Sequence, residues 1–366
     1  MQPLYIESKD PSKKRKYIIE AQDFIHYLGK GSFGYVVKCK CLDNGVEYAA
    51  KIIDYKKNGF PQEIFNYESQ NAQKIRAYAK TVGSCINLVV AEDECVSPEQ
   101  YFIIYPLFKK KDLRYLLTEM DQRLPESEAW ELIRQVSNGL WHLHTKLKMI
   151  HRDLKIENIF VDEKEEGKEC SKYQYHIGDF GLTRDKNDAT TNCGSIETKA
   201  PEIQAGKYDT MVDIWSLGII MYYLLFGIYP FQALNNTDLM TQMKNGFYKV
   251  YLQQKVSEFA ISFIESCLQR DPEERLAIDE IYKLLRLNEL SKPFKIPYSL
   301  KHTFAAVSND IQELSINKGK KKYSIGPSRL LDLHNSKKTQ ISYLNIPLFL
   351  SIKQESAKEG WVYIEN

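Results

Sequence analysis

The sequence of 366 residues predicts an α+β protein of two lobes, a small β-rich lobe with one helix and a larger helical lobe after it. Three observations carry this prediction. Residues 24–54 read as strands and turns, apolar residues from Ala129 onward recur at helical spacing, and Pro106 stops a strand between the two patterns. A division of that kind implies a cleft.

The elements follow in order. Tyr35-Val36-Val37-Lys38-Cys39-Lys40-Cys41 and Val46-Glu47-Tyr48-Ala49-Ala50-Lys51-Ile52-Ile53 flank Asp43-Asn44-Gly45, and Asn-Gly is a strong hairpin signal. Residues 62–76 turn helical, and Tyr101-Phe102-Ile103-Ile104-Tyr105 is a strand ended by Pro106. Ala129, Leu132, Ile133, Val136, Leu140 and Leu143 follow the i, i+3, i+4, i+7 rule, with Ser127 as the expected N-cap. The most apolar stretch, 217–231, is interrupted by Gly and Pro and falls short of the roughly 20 residues that span a bilayer. It is expected as a buried core helix, and no membrane partner is expected.

Composition bounds the partners. Hydrophobic residues at 43% and charged residues at 27% exclude a wholly disordered chain. Lys+Arg 50 against Asp+Glu 48 argues against a dedicated nucleic-acid binder. The balance hides a basic tail, since residues 291–366 carry 12 Lys/Arg and 6 Asp/Glu. Three zones are expected: a polar basic extension over 1–22, one folded unit over 23–290, and a tail over 291–366 whose role the residues leave open. The first lobe should cover about 23–105, a connector 106–112, and the second lobe 113–290. Seven cysteines without zinc-ligand spacing, and no apolar signal core after Met1, point to reduced thiols in the cytoplasm, with the nucleus as alternative through Lys13-Lys14-Arg15-Lys16 and Lys318, Lys320, Lys321 and Lys322. Oligomeric state is not legible.

The chemistry sits in five motifs. Gly29-Lys30-Gly31-Ser32-Phe33-Gly34-Tyr35-Val36 fits G-x-G-x-x-G-x-V within a strand–turn–strand, where glycines let backbone approach phosphate closely. Lys51 ends Tyr48-Ala49-Ala50-Lys51 on the next strand. His151-Arg152-Asp153-Leu154-Lys155-Ile156-Glu157-Asn158 reproduces H-R-D-L-x-x-x-N. Asp179-Phe180-Gly181 follows, and Ala200-Pro201-Glu202 closes the segment behind it.

With these motifs in place, residues 23–290 resemble the eukaryotic protein kinases of serine/threonine type. Asp213-Ile214-Trp215-Ser216-Leu217-Gly218 looks like the family's buried helix, and Arg275 sits where the family pairs an Arg with Glu202. The resemblance implies ATP and Mg²⁺ held by Gly29, Lys30, Gly31, Ser32, Phe33, Gly34, Val36, Ala49 and Lys51, with Asp179 and Asn158 as metal ligands. It further implies Asp153 and Lys155 as catalytic groups beside Asn158, and Glu68 as the partner of Lys51, favoured over Glu63. Tyr105 falls at the back of the adenine pocket, Pro106, Leu107 and Phe108 form its hinge, and Asp112 lies near the ribose. Protein substrates and an upstream activating kinase are the implied partners. Lys155 implies a Ser/Thr acceptor, and Ser195 should bond Asp153 and Lys155. Arg152 implies activation by phosphorylation at Thr191 first and Thr190 next. Asp112 and Glu157 are expected to attract basic residues of the substrate. The alternative is a nucleotide-binding pseudokinase scaffold. Departures from the family pattern are Ile156 in place of Pro, Lys109-Lys110-Lys111 in place of hinge glycines, Ile196 and Thr198 in the substrate-facing loop, and a charged insertion over 162–169.

Overall fold

Alternating apolar residues in the first hundred positions fold into one antiparallel sheet. The computed structural model describes residues 2–286 except 32–33, 55–61, 84–85, 164–171, 186–192, 207, 234, 246–248 and 251–255. It also describes five short strands within 314–363. Side chains of 30–31, 62–66, 244–245, 249–250 and those five strands are outside the description. The strands are β1 Leu4–Glu7, β2 Lys16–Ile19, β3 Gly29–Gly31, β4 Gly34–Cys41 and β5 Glu47–Asp54, then, after helix α1 Gln62–Val82, β6 Asp93–Val96 and β7 Gln100–Pro106. Their order is β1-β2-β4-β5-β7-β6, with β3 on β4.

The Asn-Gly hairpin is present. Gly45 takes φ +71°, its N–H donates to the Cys41 carbonyl at 2.9 Å, and the Val46 N–H donates to Asn44 Oδ1 at 3.0 Å. Glycine takes that backbone conformation without a Cβ penalty.

Residues 1–22, expected as a polar extension, instead add β1 and β2 to the sheet. Their basic run overshadows the apolar residues of Lys16-Tyr17-Ile18-Ile19, whose side chains from Tyr17 to Ile19 are buried. Ser8 then bridges Cys95 at the start of the opposite edge, and the Lys9 N–H donates to the Glu94 carbonyl at 2.7 Å. The sheet therefore closes into a barrel around Ile6, Tyr17, Val37, Cys39, Ile52 and Phe102. Asp93, 1% exposed, fastens the closure by accepting from Ser8 Oγ (2.9 Å) and Tyr17 Oη (3.0 Å).

The second lobe is helical: α2 Leu113–Glu119, α3 Glu126–Trp141, α4 Met211–Phe226, α5 Asn236–Asn245, α6 Glu258–Cys267 and α7 Ile278–Arg286. Two short ladders pair β8 Met149–Ile150 with β11 Arg184–Asp185, and β9 Ile159–Glu163 with β10 Tyr173–Ile177. The apolar run forms much of α4, whose residues from Val212 onward are all buried, so it is the core helix expected. Among the described residues no helix is long and apolar enough to cross a membrane.

α3 begins one residue before the expected cap. Pro125 occupies the N-cap position and its carbonyl accepts from Ala129 N–H at 2.9 Å, while Ser127 lies inside the first turn. The helix is held from outside by Ser257, whose N–H donates to Glu126 at 2.9 Å, and within its first turn Trp130 Nε1 donates to the same carboxylate at 3.1 Å. The insertion lies outside the described residues from 164 onward. In the tail, Leu314–Lys318 pairs with Lys321–Ile325 and Ile341–Tyr343 with Ile346–Leu348.

Candidate active site

Side chains on one face of the sheet and residues of three loops converge on the cleft between the lobes. On β5 the pleat sends Ala50 and Ile52 into the barrel and leaves Ala49 and Lys51 half-buried on the other face. Val36 lies opposite Lys51 and Tyr105 opposite Ala49, so all four share that face. α1 carries Glu68, 1% exposed, into an ion pair with Lys51 Nζ. The Glu63 side chain lies outside the described residues. Lys51 Nζ also meets Asp179 Oδ1 at 2.9 Å. Burial alone would lower the Lys51 pKa, but the Asp179 and then the Glu68 carboxylate outweigh it, so its ammonium form is held well above the usual range. Asp179 is lowered, chiefly by Lys51 against its own burial, and remains 44% exposed to the cleft. Its backbone is left-handed (φ +59°) and opens a 3-10 turn over Phe180–Leu182.

The second cluster is built on the loop after β8. Asp153 Oδ1 accepts from Ser195 Oγ (2.9 Å) and Ser195 N–H (2.7 Å), and Oδ2 accepts from Lys155 Nζ (2.8 Å) and Asn158 Nδ2 (3.2 Å). Lys155 Nζ donates to Ser195 Oγ at 2.7 Å. Gly194 makes this approach possible: at φ +92° a Cβ would sit 2.5 Å from the Arg152 carbonyl oxygen. His151 donates from Nε2 to the Gly178 carbonyl (3.0 Å), which fixes its tautomer, and its Nδ1 accepts from Asp153 N–H at 3.3 Å. Gly178 N–H donates to the Asn158 carbonyl at 2.9 Å, tying the loop of Asp153 to the turn of Asp179.

A family model described as protein kinase domain matches residues 23–284. The chain belongs to the protein kinase family. It is 31% identical over 260 residues to a probable cell cycle serine/threonine-protein kinase CDC5 homolog of Encephalitozoon cuniculi, covering 69% of this chain and 52% of that protein. To a carbon catabolite-derepressing protein kinase of Secale cereale it is 29% identical, covering 70% and 50%. To calcium-dependent protein kinase 5 of Plasmodium falciparum it is 31% identical, covering 70% and 43%. The chain spans about half the length of these relatives.

Other expected residues of the kinase domain are placed as follows. Gly29 and Gly31 lie on β3, with Gly31 opposite Gly34, where a Cβ would collide with the Ile52 carbonyl. Lys30 pairs with Tyr35 through its backbone, and Ser32 and Phe33 lie outside the described residues. Pro106, Leu107 and Phe108 are half-buried, and the Phe108 ring packs 5.4 Å from Phe160 and 5.5 Å from His176. Asp112 caps α2, accepting from Tyr115 N–H at 2.9 Å. Arg152 Nη2 donates to Cys193 Sγ at 2.8 Å. Thr190 and Thr191 lie outside the described residues. Arg275 Nη2 donates to Glu202 Oε2 at 2.9 Å, closing the long-range pair expected from the motifs.

Sequence reasoning missed two organisers. Asn71 on α1 donates from Nδ2 to the Phe180 and Thr183 carbonyls, both at 3.0 Å, so the helix that carries Glu68 also holds the segment after Asp179. Asp213 accepts from His151 N–H (2.8 Å), Arg152 N–H (2.9 Å) and His144 Nε2 (2.7 Å). Burial would raise its pKa, yet His144 and these N–H donors hold it below the usual value. Its motif was legible; its partners, some sixty residues away, were not.

Among the described residues no group of three or more His, Cys, Asp or Glu could hold a metal. Asp179 and Asn158 supply one carboxylate and one amide oxygen on adjacent backbone. That donor set fits magnesium, a hard cation that keeps most of its waters.

Proposed function

We propose that the chain is a serine/threonine protein kinase transferring the γ-phosphoryl group of Mg·ATP to protein hydroxyls. The observation that supports it most is the meeting in one cleft of the Glu68–Lys51–Asp179 chain with the Asp153–Lys155–Ser195 cluster. Lys51, fixed by two carboxylates, is positioned for the α- and β-phosphates. Asp179 and Asn158 would hold magnesium, which would supply charge neutralisation to the phosphates when bound. Asp153 orients the acceptor hydroxyl and takes its proton; that a hydroxyl fits there is supported by Ser195 Oγ at 2.9 Å. Lys155, within 2.8 Å of Asp153, lies where it offsets charge on the moving group. Gly29, Gly31, Gly34, Val36 and Ala49 line the nucleotide side, with Tyr105 behind the base and Pro106 to Phe108 as hinge. We take residues 23–290 as the catalytic unit and place the protein in the cytoplasm or nucleus. Radiolabelled ATP with generic protein substrates tests the reading. Label should appear on serine and threonine, and Asp153→Asn should lower transfer by about 10²–10³-fold. No transfer above the variant leaves only the nucleotide-binding scaffold.

Activation by phosphorylation belongs to the same reading. The Arg184 pKa is lowered by burial and then by the charge of Arg152, whose Nη2 donates to Cys193 Sγ at 2.8 Å. A phosphate on Thr191, or on Thr190, carries about −2 charge to that pair. Mass spectrometry of active enzyme should find one of these threonines phosphorylated. Full activity in a Thr190→Ala/Thr191→Ala double variant would remove the idea.

A further inference from the structure

The catalytic loop carries one acidic side chain on its open side, Glu157, two residues beyond Lys155. An unpaired carboxylate there would draw basic side chains of a substrate toward the acceptor site. The structure shows it paired. Glu157 Oε1 accepts from Arg114 Nε at 3.0 Å and Nη2 at 2.7 Å. The same guanidinium donates from Nη1 to Tyr223 Oη (2.9 Å) and from Nη2 to Tyr229 Oη (3.1 Å), and it lies 5.3 Å from the centre of the Tyr223 ring. Tyr223 Oη in turn donates to Gln122 Oε1 at 3.2 Å. Arg114 comes from α2, Tyr223 from α4 and Tyr229 from the segment after it, so three parts of the lobe fix one guanidinium over one carboxylate.

We propose that Arg114 is a specificity-determining residue: by neutralising Glu157 from within the chain, it removes selection for basic residues beside the phospho-acceptor. An exposed ion pair of two flexible side chains has little preference for its geometry. Here the guanidinium is preorganised by its tyrosine partners, and an incoming arginine must displace a tethered competitor of high effective concentration. The second acid on this side, Asp112, is engaged as the cap of α2. Meanwhile Lys155 stands at the acceptor itself, and Lys199 lies near Asp153. Basic residues around the serine or threonine therefore gain little from Glu157 or Asp112. Specificity is thus an intramolecular contest for one carboxylate, and the expectation that Glu157 recruits a basic substrate residue is reversed. The inference rests on the kinase reading above.

A positional peptide library with radiolabelled ATP tests it. For the wild type, arginine at each of the three positions on either side of the acceptor should give kcat/KM no more than about twofold above alanine. Arg114→Met should raise that ratio about fivefold or more at one position at least. Arg114→Met/Glu157→Gln should restore the wild-type profile. Glu157→Gln alone should leave the wild-type ratio unchanged, a measurement that stays decisive if Arg114→Met folds poorly. A wild-type preference for arginine above fivefold that Glu157→Gln abolishes would overturn the proposal, as would an unchanged ratio in a folded Arg114→Met. No transfer by the wild type onto any peptide overturns the kinase reading instead.

Discussion

Lys51 and His176 show how one physical effect, burial, leads to opposite outcomes according to the neighbours. At Lys51 two carboxylates override desolvation and keep the ammonium charged. At His176, on β10 against the Phe108 ring, burial wins over the opposing Asp162 carboxylate and the pKa falls from 6.5 to about 4. The sign for stability follows. Above pH 6.5 both folded and unfolded chains keep this imidazole neutral. Between 6.5 and about 4 only the unfolded chain binds the proton, so stability falls as pH drops through that window. The loss attributable to His176 is at most about 3 kcal/mol. Urea unfolding of wild type and His176→Gln across pH 7 to 4 should show a shallower acid decline in the variant; equal slopes would contradict the assignment. None of this was legible in the sequence, where His176 is one polar position in a short strand, and the same holds for the contacts of Asn71 and Asp213. By contrast, the contacts of Asp153 with Lys155 and Asn158 lie within one contiguous motif, whereas Asp153 meets Ser195 from 42 residues away and Asp179 meets Lys51 from 128.

Elements whose role is set by sequence-local pattern appear where the pattern places them, as the Asn-Gly hairpin and the core of α3 do. The N-terminal hairpin does not follow that rule. Its charged residues suggested a solvated extension, and the contact that defines it, Ser8 with Cys95, joins positions 87 residues apart. Closure of the barrel also reaches α1: Glu94 on β6 accepts from Gln73 Nε2 (2.9 Å) and from Tyr101 Oη, whose oxygen lies 3.1 Å from Ser69 Oγ, next to Glu68. Tyr17→Ala removes a fully buried ring from the barrel and leaves Asp93 without one donor. A cost of about 3–5 kcal/mol is expected by chemical denaturation. A loss below 1 kcal/mol would mean that the hairpin is an appendage. The N-cap of α3 lies two residues before the expected Ser127 for a similar reason, because Glu126 is fixed by Ser257, 131 residues away.

At the scale of the whole molecule, the chain joins a barrel core and a helical core across one cleft, with a smaller cluster around Ile53, Ala72 and Ile103 beside them, and each lobe contributes a short, recognisable piece to the proposed chemistry. The barrel presents Lys51 and the glycine strand; the helical lobe presents Asp153, Asn158 and Asp179 on loops anchored by Asp213. The central claim is that these pieces meet around one nucleotide and its metal. Calorimetric titration of the full chain with ATP, with and without magnesium, tests it most directly. The wild type should bind ATP more tightly with magnesium present, Lys51→Met should weaken binding, and Asp179→Asn should erase the magnesium dependence. Absence of ATP binding, or magnesium-dependent binding unchanged in Asp179→Asn, would contradict the account.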